Sequence, residues 1–409
     1  MGFLYHLSMF LYGAGLQLAS PFVPKAKLWV EGRKNWRDNY SSLLKNLDSP
    51  IWMHAASLGE FEQGRPVLEA LKKHHPKRSI VLTFFSPSGF EVRKNWEGAD
   101  LVIYLPLDTK KNALDFVSLL NPSVAIFVKY EFWMNTLGVL KERKVPTVLI
   151  SGIFRSNHVF MKNYGGWFKR KMKAFTMTFM QNEESVAFAK TLGIPSQLSG
   201  DTRFDRVVEI AEKSQRVDPV HQFINGQPAI VAGSSWEPEE QLLGAFSLIR
   251  PDVKIVVVPH EIGEAHLKQI EAYFLGRCVR LSKLKDSDSC QVLVVDQIGM
   301  LSRIYREATI AVLGGGFGAG IHNTLEAAVY GVPVLFGPKY DKFIEAHELI
   351  ACGGGFSFAT TTDLKEGLIR LLEASEECLQ SGKAAKEYVE QKAGATKQIV
   401  AYLADNVLV

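Results

Sequence analysis

From residue 50 onward, runs of four to six mostly apolar residues alternate with longer stretches of mixed apolar and polar character. The short runs fall at 51–55, 79–84, 101–104, 124–128 and 147–151, and a second series follows at 229–232, 254–259, 291–295, 309–313 and 332–336. Their length and their turn-forming borders predict strands, with helices between them. Strand and helix in alternation predict a parallel sheet covered by helices on both faces. Two such series predict an α/β protein of two Rossmann-like domains facing a cleft. The polar segment 213–227 is the expected linker, leaving 25–212 as an N-terminal domain and 228–409 as a C-terminal one that closes with helices from 364 to about 403.

Residues 1–24 stand outside this pattern. They contain no Asp, Glu, Lys or Arg, and 3–23 are mostly apolar. A run of that length is close to what a helix needs to cross the ~30 Å hydrocarbon core. His6, Gln17, two glycines and Pro21 suit an interfacial helix in the head-group plane as well. Lys25, Lys27, Arg33, Lys34 and Arg37 follow at once, and such positive flanks keep the body of a protein on the cytoplasmic side. No charged leader or small-residue cleavage site marks a removable signal peptide.

At 409 residues the chain is long enough for two separately packed cores, and 47% hydrophobic with 22% charged residues is a folded composition. The net charge of +4 hides an asymmetry: 1–180 carry 25 Lys/Arg against 13 Asp/Glu, and 181–409 carry 22 against 30, or +12 and −8. A basic half suggests an anionic partner. Beside an apolar N-terminus it points to a membrane surface or an anionic lipid rather than nucleic acid. Cys278, Cys290, Cys352 and Cys378 have no CxxC or zinc-ligand spacing and read as reduced thiols.

In open α/β sheets ligands gather at the carboxyl ends of strands. The strand at 309–313 runs into Gly314, Gly315, Gly316, Gly318 and Gly320, followed by His322, Asn323, Thr324, Leu325 and Glu326. Glycines admit close backbone approach and a helix start near Asn323 offers free N–H groups to a phosphate, with Glu326 placed to bind a ribose. Capping by Asn323 and Glu326 accounts for only part of this glycine content. The motif is not GxGxxG after a first strand, which argues against a hydride-transfer enzyme.

After the first strand, His54-Ala-Ala-Ser57-Leu-Gly59-Glu60 leads into a helix. Glu60 is there either as a general base or as the partner of Ser57 in a capping box. Lys129-Tyr-Glu131-Phe-Trp-Met-Asn135 follows the fourth strand, and its rings beside a carboxylate suit a sugar, or else a buried Trp with a solvated Glu. The segment 155–173 interleaves Lys162, Lys169, Arg170, Lys171 and Lys173 with aromatic residues; it grips lipid phosphates or is a solvated helix face. Ser57, Gly59, Lys162 and Arg170 are the candidate acceptor contacts. Asp286 and Asp288 spell a metal-binding pair but precede a strand, so no metal site is expected.

In order along the chain, the apolar N-terminus, His54 to Glu60, Tyr104-Leu-Pro-Leu-Asp108, Glu131 to Asn135, Gly200-Asp-Thr-Arg-Phe-Asp205 and Gly320 to Glu326 resemble the Kdo transferases, which attach 3-deoxy-D-manno-octulosonic acid (Kdo) to a lipid A precursor. The resemblance covers about residues 1–350 and implies a GT-B fold with the acceptor on the N-terminal domain and CMP-Kdo on the C-terminal one. It implies Glu60 as base, Glu131 and Arg203 as stabilisers of the transition state, and nucleotide contacts at Pro259, His260, Ile298, Gly299, Met300, Asn323, Thr324, Leu325 and Glu326. Gly315 and Gly316 join these from the glycine loop. It further implies inverting transfer without metal or cofactor, at the cytoplasmic face of the inner membrane, in lipopolysaccharide biosynthesis. Two departures stand out: Arg203 replaces the family's usual Lys, and Pro259-His260-Glu261 replaces Pro-Arg-His, so His260, Lys339 or backbone N–H groups must serve the nucleotide phosphate. A sugar-nucleotide epimerase on the same fold and a non-catalytic membrane-associated nucleotide-binding protein are the alternatives.

Overall fold

The apolar runs of the first half become parallel strands β1 (Ile51–Ala55), β2 (Ile80–Phe84), β3 (Leu101–Tyr104), β4 (Val124–Val128), β5 (Thr147–Gly152), β6 (Met177–Met180) and β7 (Ser196–Leu198). They form one sheet in the order β3-β2-β1-β4-β5-β6-β7. Strands β1, β2, β4 and β5 are buried along their whole length, as a parallel sheet covered on both faces requires. The second sheet contains β8 (Ala229–Ser235), β9 (Lys254–Pro259), β10 (Cys278–Arg280), β11 (Val292–Val294), β12 (Ile310–Leu313), β13 (Val334–Phe336) and β14 (Gly355–Ser357) in the order β10-β11-β9-β8-β12-β13-β14. The strand order reverses between β1 and β4 in one sheet and between β8 and β12 in the other. The crevices at those points are where a doubly wound sheet receives ligands.

The computed structural model describes residues 1–154, 158, 159, 162, 165–285 and 290–408. The segment with Asp286 and Asp288, and most of 155–164, lie outside the described residues. The chain divides into two units, one of Met1–Arg206 with Gly394–Val409 and one of Val207–Ala393. This corrects the expected boundaries twice. Within 213–227 the helix Asp218–Ile224 buries Val220, Phe223 and Ile224, so the expected linker is folded into the second unit. The last helix, Ala395–Asn406, belongs to the first unit, where Ile399, Val400 and Leu403 share a core with Phe61, Leu68 and Phe179. Asp205 fixes it there by accepting from Gly394 N (2.6 Å), Thr396 N (2.9 Å) and Thr396 Oγ1 (3.0 Å).

The N-terminal apolar run forms a helix, Gly2–Ala19, and no helix among the described residues is long and apolar enough to cross a membrane. The helix packs on the first unit. Tyr12 stacks on Phe85 with ring centroids 5.9 Å apart, and Tyr5 meets Trp167 at 5.5 Å. Its other side leaves Phe3, Phe10 and Leu18 exposed, at 76%, 68% and 77%. The Tyr5 hydroxyl donates to Asp108 Oδ2 at 2.6 Å. Asp108 is fully buried and also accepts from Asn135 N, Thr136 N and Thr136 Oγ1, so one carboxylate joins the first helix to the helix Met134–Glu142.

Candidate active site

At the carboxyl end of β1 the chain turns through Ser57 into the helix Leu58–His74. Ser57 N and Oγ both donate to Glu60 Oε2, at 2.8 and 2.7 Å. The capping box therefore exists, and it does not compete with a chemical role: it seats the Glu60 carboxyl, 6% exposed, over the β1–β4 crevice. At the end of β4 Lys129 adopts a left-handed conformation (φ 66°), unusual for a residue with a side chain, and the chain then delivers Glu131 to the same place. The two carboxyls come within hydrogen-bonding reach of each other. Burial, then the charge of Glu131, raise the Glu60 carboxyl above its ordinary value, against the pull of the Ser57 hydrogen bonds. Burial pushes Glu131 up from 4.5 to about 7, opposed by hydrogen bonds from Trp133 and Glu60. Two carboxyls so close do not both ionise readily, so one proton is shared between them near neutral pH.

His54, at the centre of an apolar strand, completes this cluster. Burial lowers its ring to about 3, so it is neutral and its 3.6 Å approach to Glu131 is not an ion pair. The Trp133 indole N–H donates to both His54 Nε2 and Glu131 Oε2, each at 2.9 Å. Since indole only donates, His54 carries its proton on Nδ1 and donates it to Thr83 Oγ1 at 2.8 Å, where Trp52 Nε1 also donates at 2.9 Å. Trp133 is thus a half-buried, hydrogen-bonded holder of Glu131 as well as a wall. Tyr5, Met9, Ala56, Phe85, Tyr130, Glu131, Phe132, Trp133, Met134, His158, Val159 and Phe168 line an open pocket of about 490 Å³ beside it.

Arg203 reaches the helix of Glu60 through Asp201. Its backbone N–H donates to Asp201 Oδ1 at 2.9 Å, and its guanidinium meets Oδ2 at the same distance, while Gln63 Nε2 donates to Oδ2 at 2.8 Å. Gln63 lies one turn beyond Glu60, and Thr202 Oγ1 donates to the Gln63 carbonyl. Gly59 lies in the first turn of that helix. Lys162 and Arg170 are exposed; from their segment it is His158, Val159 and Phe168 that line the pocket with Glu131.

In the second unit the glycine run lies at the end of β12, and part of its glycine content is structural. A Cβ on Gly314 would meet Ser234 O at 2.0 Å, and one on Gly316 would meet Gly337 N at 2.4 Å, because the backbones leaving β8, β12 and β13 touch. The Gly315 N–H, expected for a phosphate, donates instead to Glu239 Oε1 at 3.1 Å. Burial raises Glu239 to about 7, and its other oxygen accepts from Trp236 N. The Lys339 ammonium is likewise engaged, with Gly318 O at 2.7 Å. The helix expected to start near Asn323 has Thr324 as its cap position but spans only Leu325–Ala328, so its dipole is that of a single turn. Asn323 bridges it, accepting from Leu325 N and donating to Glu326 Oε1 at 3.0 Å.

His260, just after Pro259 at the end of β9, is the middle ring of a stack. Its centroid lies 4.8 Å from Trp236 and 4.6 Å from His322, with the ring planes at 27° and 30°. Ile298 is 85% exposed, Gly299 has φ 85°, and Met300 caps the helix Leu301–Ile304 after β11. The expected nucleotide residues thus gather at the carboxyl ends of β9, β11 and β12. Sequence reading missed Trp236 and Glu239, and quoted His322, His54, Asp108 and Trp133 within motifs without the partners they have here. A His or acid inside an apolar run was the available signal for His54 alone.

Parallel sheets of this order with sites at both reversal points define a GT-B-like protein of two Rossmann-type domains. A solved structure of UDP-GlcNAc 2-epimerase from Neisseria meningitidis bound to UDP-GlcNAc shares the fold, with a TM-score of 0.62 at 16% identity over 87% of this chain and 100% of that one. Residues 32–206 match the family described as 3-deoxy-D-manno-octulosonic-acid transferase (kdotransferase). The 3-deoxy-D-manno-octulosonic acid transferase of Aquifex aeolicus is 31% identical over 342 residues, 82% of this chain and 89% of that protein. That of Haemophilus influenzae is 26% identical over 377 residues, 86% and 85%. The chain belongs to the Kdo transferase family and is a glycosyltransferase. Family membership sets aside the epimerase and the non-catalytic alternatives.

Proposed function

We propose that the protein transfers Kdo from CMP-Kdo to a sugar hydroxyl of a lipid A precursor, with inversion and without a metal or cofactor, at the cytoplasmic face of the inner membrane. The observation that carries this is the buried Glu60–Glu131 pair. The Ser57 hydrogen bonds favour the ionised form of Glu60, while burial raises both carboxyls above their ordinary value. Glu60 is then a base whose affinity for a proton is raised above that of an exposed carboxylate. It takes the acceptor hydroxyl proton as the new bond forms to the anomeric carbon; the bond from that carbon to the phosphate of CMP breaks, and CMP leaves with the electron pair. Arg203, held in a fixed fork by Asp201, suits the carboxylate of an acidic sugar. Trp236, His260 and His322 form the corresponding surface for the cytidine nucleotide.

The test is incubation with CMP-Kdo and a tetra-acylated lipid A precursor, read by mass as the gain of one or more Kdo units. Glu60→Gln is expected to slow turnover about 10²–10⁴-fold while CMP affinity is kept. Near-normal turnover in that variant removes Glu60 as the base.

A further inference from the structure

The geometry points to the pocket beside Glu131 as the seat of one acyl chain of the lipid acceptor, an assignment that rests on the lipid-acceptor function proposed above. The pocket of about 490 Å³ is walled by Met9 of the first helix and by Phe85, Phe132, Val159 and Phe168, and Glu131 is its only carboxylate among the described residues. Two of its polar groups face other partners. The Tyr5 hydroxyl donates to Asp108 and the Trp133 indole N–H to His54 and Glu131. Against this mostly aromatic and aliphatic lining a hydrocarbon chain buries apolar surface and needs no hydrogen-bond partners. Because Glu131 sits in the wall and contacts the proposed base, the occupant is part of the molecule that reacts.

The surroundings fit the rest of that molecule. The helix that supplies Met9 exposes Phe3, Phe10 and Leu18 on its other side, an apolar surface suited to the remaining chains and the lipid around them. Val159 and Phe168 lie in the segment that also carries exposed Lys162 and Arg170, cations suited to the anionic head group. In effect the first helix is one wall of the acceptor site, not only an attachment to the membrane.

The test compares a tetra-acylated acceptor with one carrying the same sugars and phosphates but fully deacylated, using the full chain in detergent. Met9→Trp narrows the pocket and is expected to raise KM for the acylated acceptor about tenfold or more by excluding a few methylenes from burial, leaving kcat and all constants for the deacylated acceptor unchanged. Met9→Ala widens the pocket and is expected to shift preference toward longer acyl chains, which keeps the test open if the larger side chain prevents folding. An equal loss on both acceptors, or no effect of either folded variant, overturns the acyl assignment. If the wild-type chain transfers Kdo to neither acceptor, the proposed function fails, a result distinguishable from failure of the pocket alone.

Discussion

Glu131→Gln tests the electrostatic state of the carboxyl pair through stability as well as activity. In the folded chain burial raises this carboxyl from 4.5 to about 7, so the folded state binds the proton more tightly than the unfolded one. Its contribution to stability is therefore full below about pH 4.5 and is lost as pH rises through about 7. At about 1.4 kcal/mol for each tenfold change, that gap corresponds to roughly 3 kcal/mol. Glutamine keeps the shape, can accept the Trp133 indole hydrogen bond, and carries no charge to desolvate. The variant should match the wild type near about pH 4 and be more stable by roughly 3 kcal/mol near about pH 8.5. The assay is urea unfolding at both pH values followed by tryptophan fluorescence, which reports chiefly on the first unit because six of the seven tryptophans lie in it. Turnover should fall in the same variant, and the acid limb of its pH profile should move to lower pH, since Glu60 loses the neighbouring charge that raises it. A stability difference that is flat with pH, or that favours the wild type at high pH, refutes the assignment of the buried proton to this pair.

Tyr5→Phe removes one hydrogen bond to a buried carboxylate without altering shape, and should destabilise the first unit by about 1–2 kcal/mol in the same unfolding assay. Gly315→Ala places a Cβ 2.3 Å from Gly320 O at φ 87°, and should weaken CMP about tenfold or more in calorimetry, since the strain is about 1–2 kcal/mol before the clash is counted. Gly318→Ala, which meets nothing nearer than 3.6 Å, should bind CMP as the wild type does. Asp205→Ala removes all three hydrogen bonds at the start of the last helix and should cost about 1–2 kcal/mol, seen as earlier proteolysis of the C-terminal residues.

The central strands were legible because both faces of each are buried, which forces continuous apolar runs such as Ile80–Phe84 and Val124–Val128. β7 and β10 were not: Ser196–Leu198 is largely exposed, and Cys278–Arg280 ends on a side chain drawn to Glu264 and Glu271. Glu60 could be placed but its role could not be chosen, since one spelling serves both the cap and the base. His54, Trp133 and Thr83 meet only because β2, β1 and the loop after β4 become neighbours, a fact of strand order that no local pattern carries. The same holds for Trp236, His260 and His322. The last helix is amphipathic like those before it, and nothing local tells which sheet it will cover.

That helix gives the protein an unusual order of completion. A polypeptide leaves the ribosome N-terminus first, and domains generally fold as they emerge. Here the layer over Phe61, Leu68 and Phe179 arrives with residues 395–406, after the whole second unit has been made. During synthesis the half that carries the proposed base therefore waits with an uncovered apolar face until the second unit has been made.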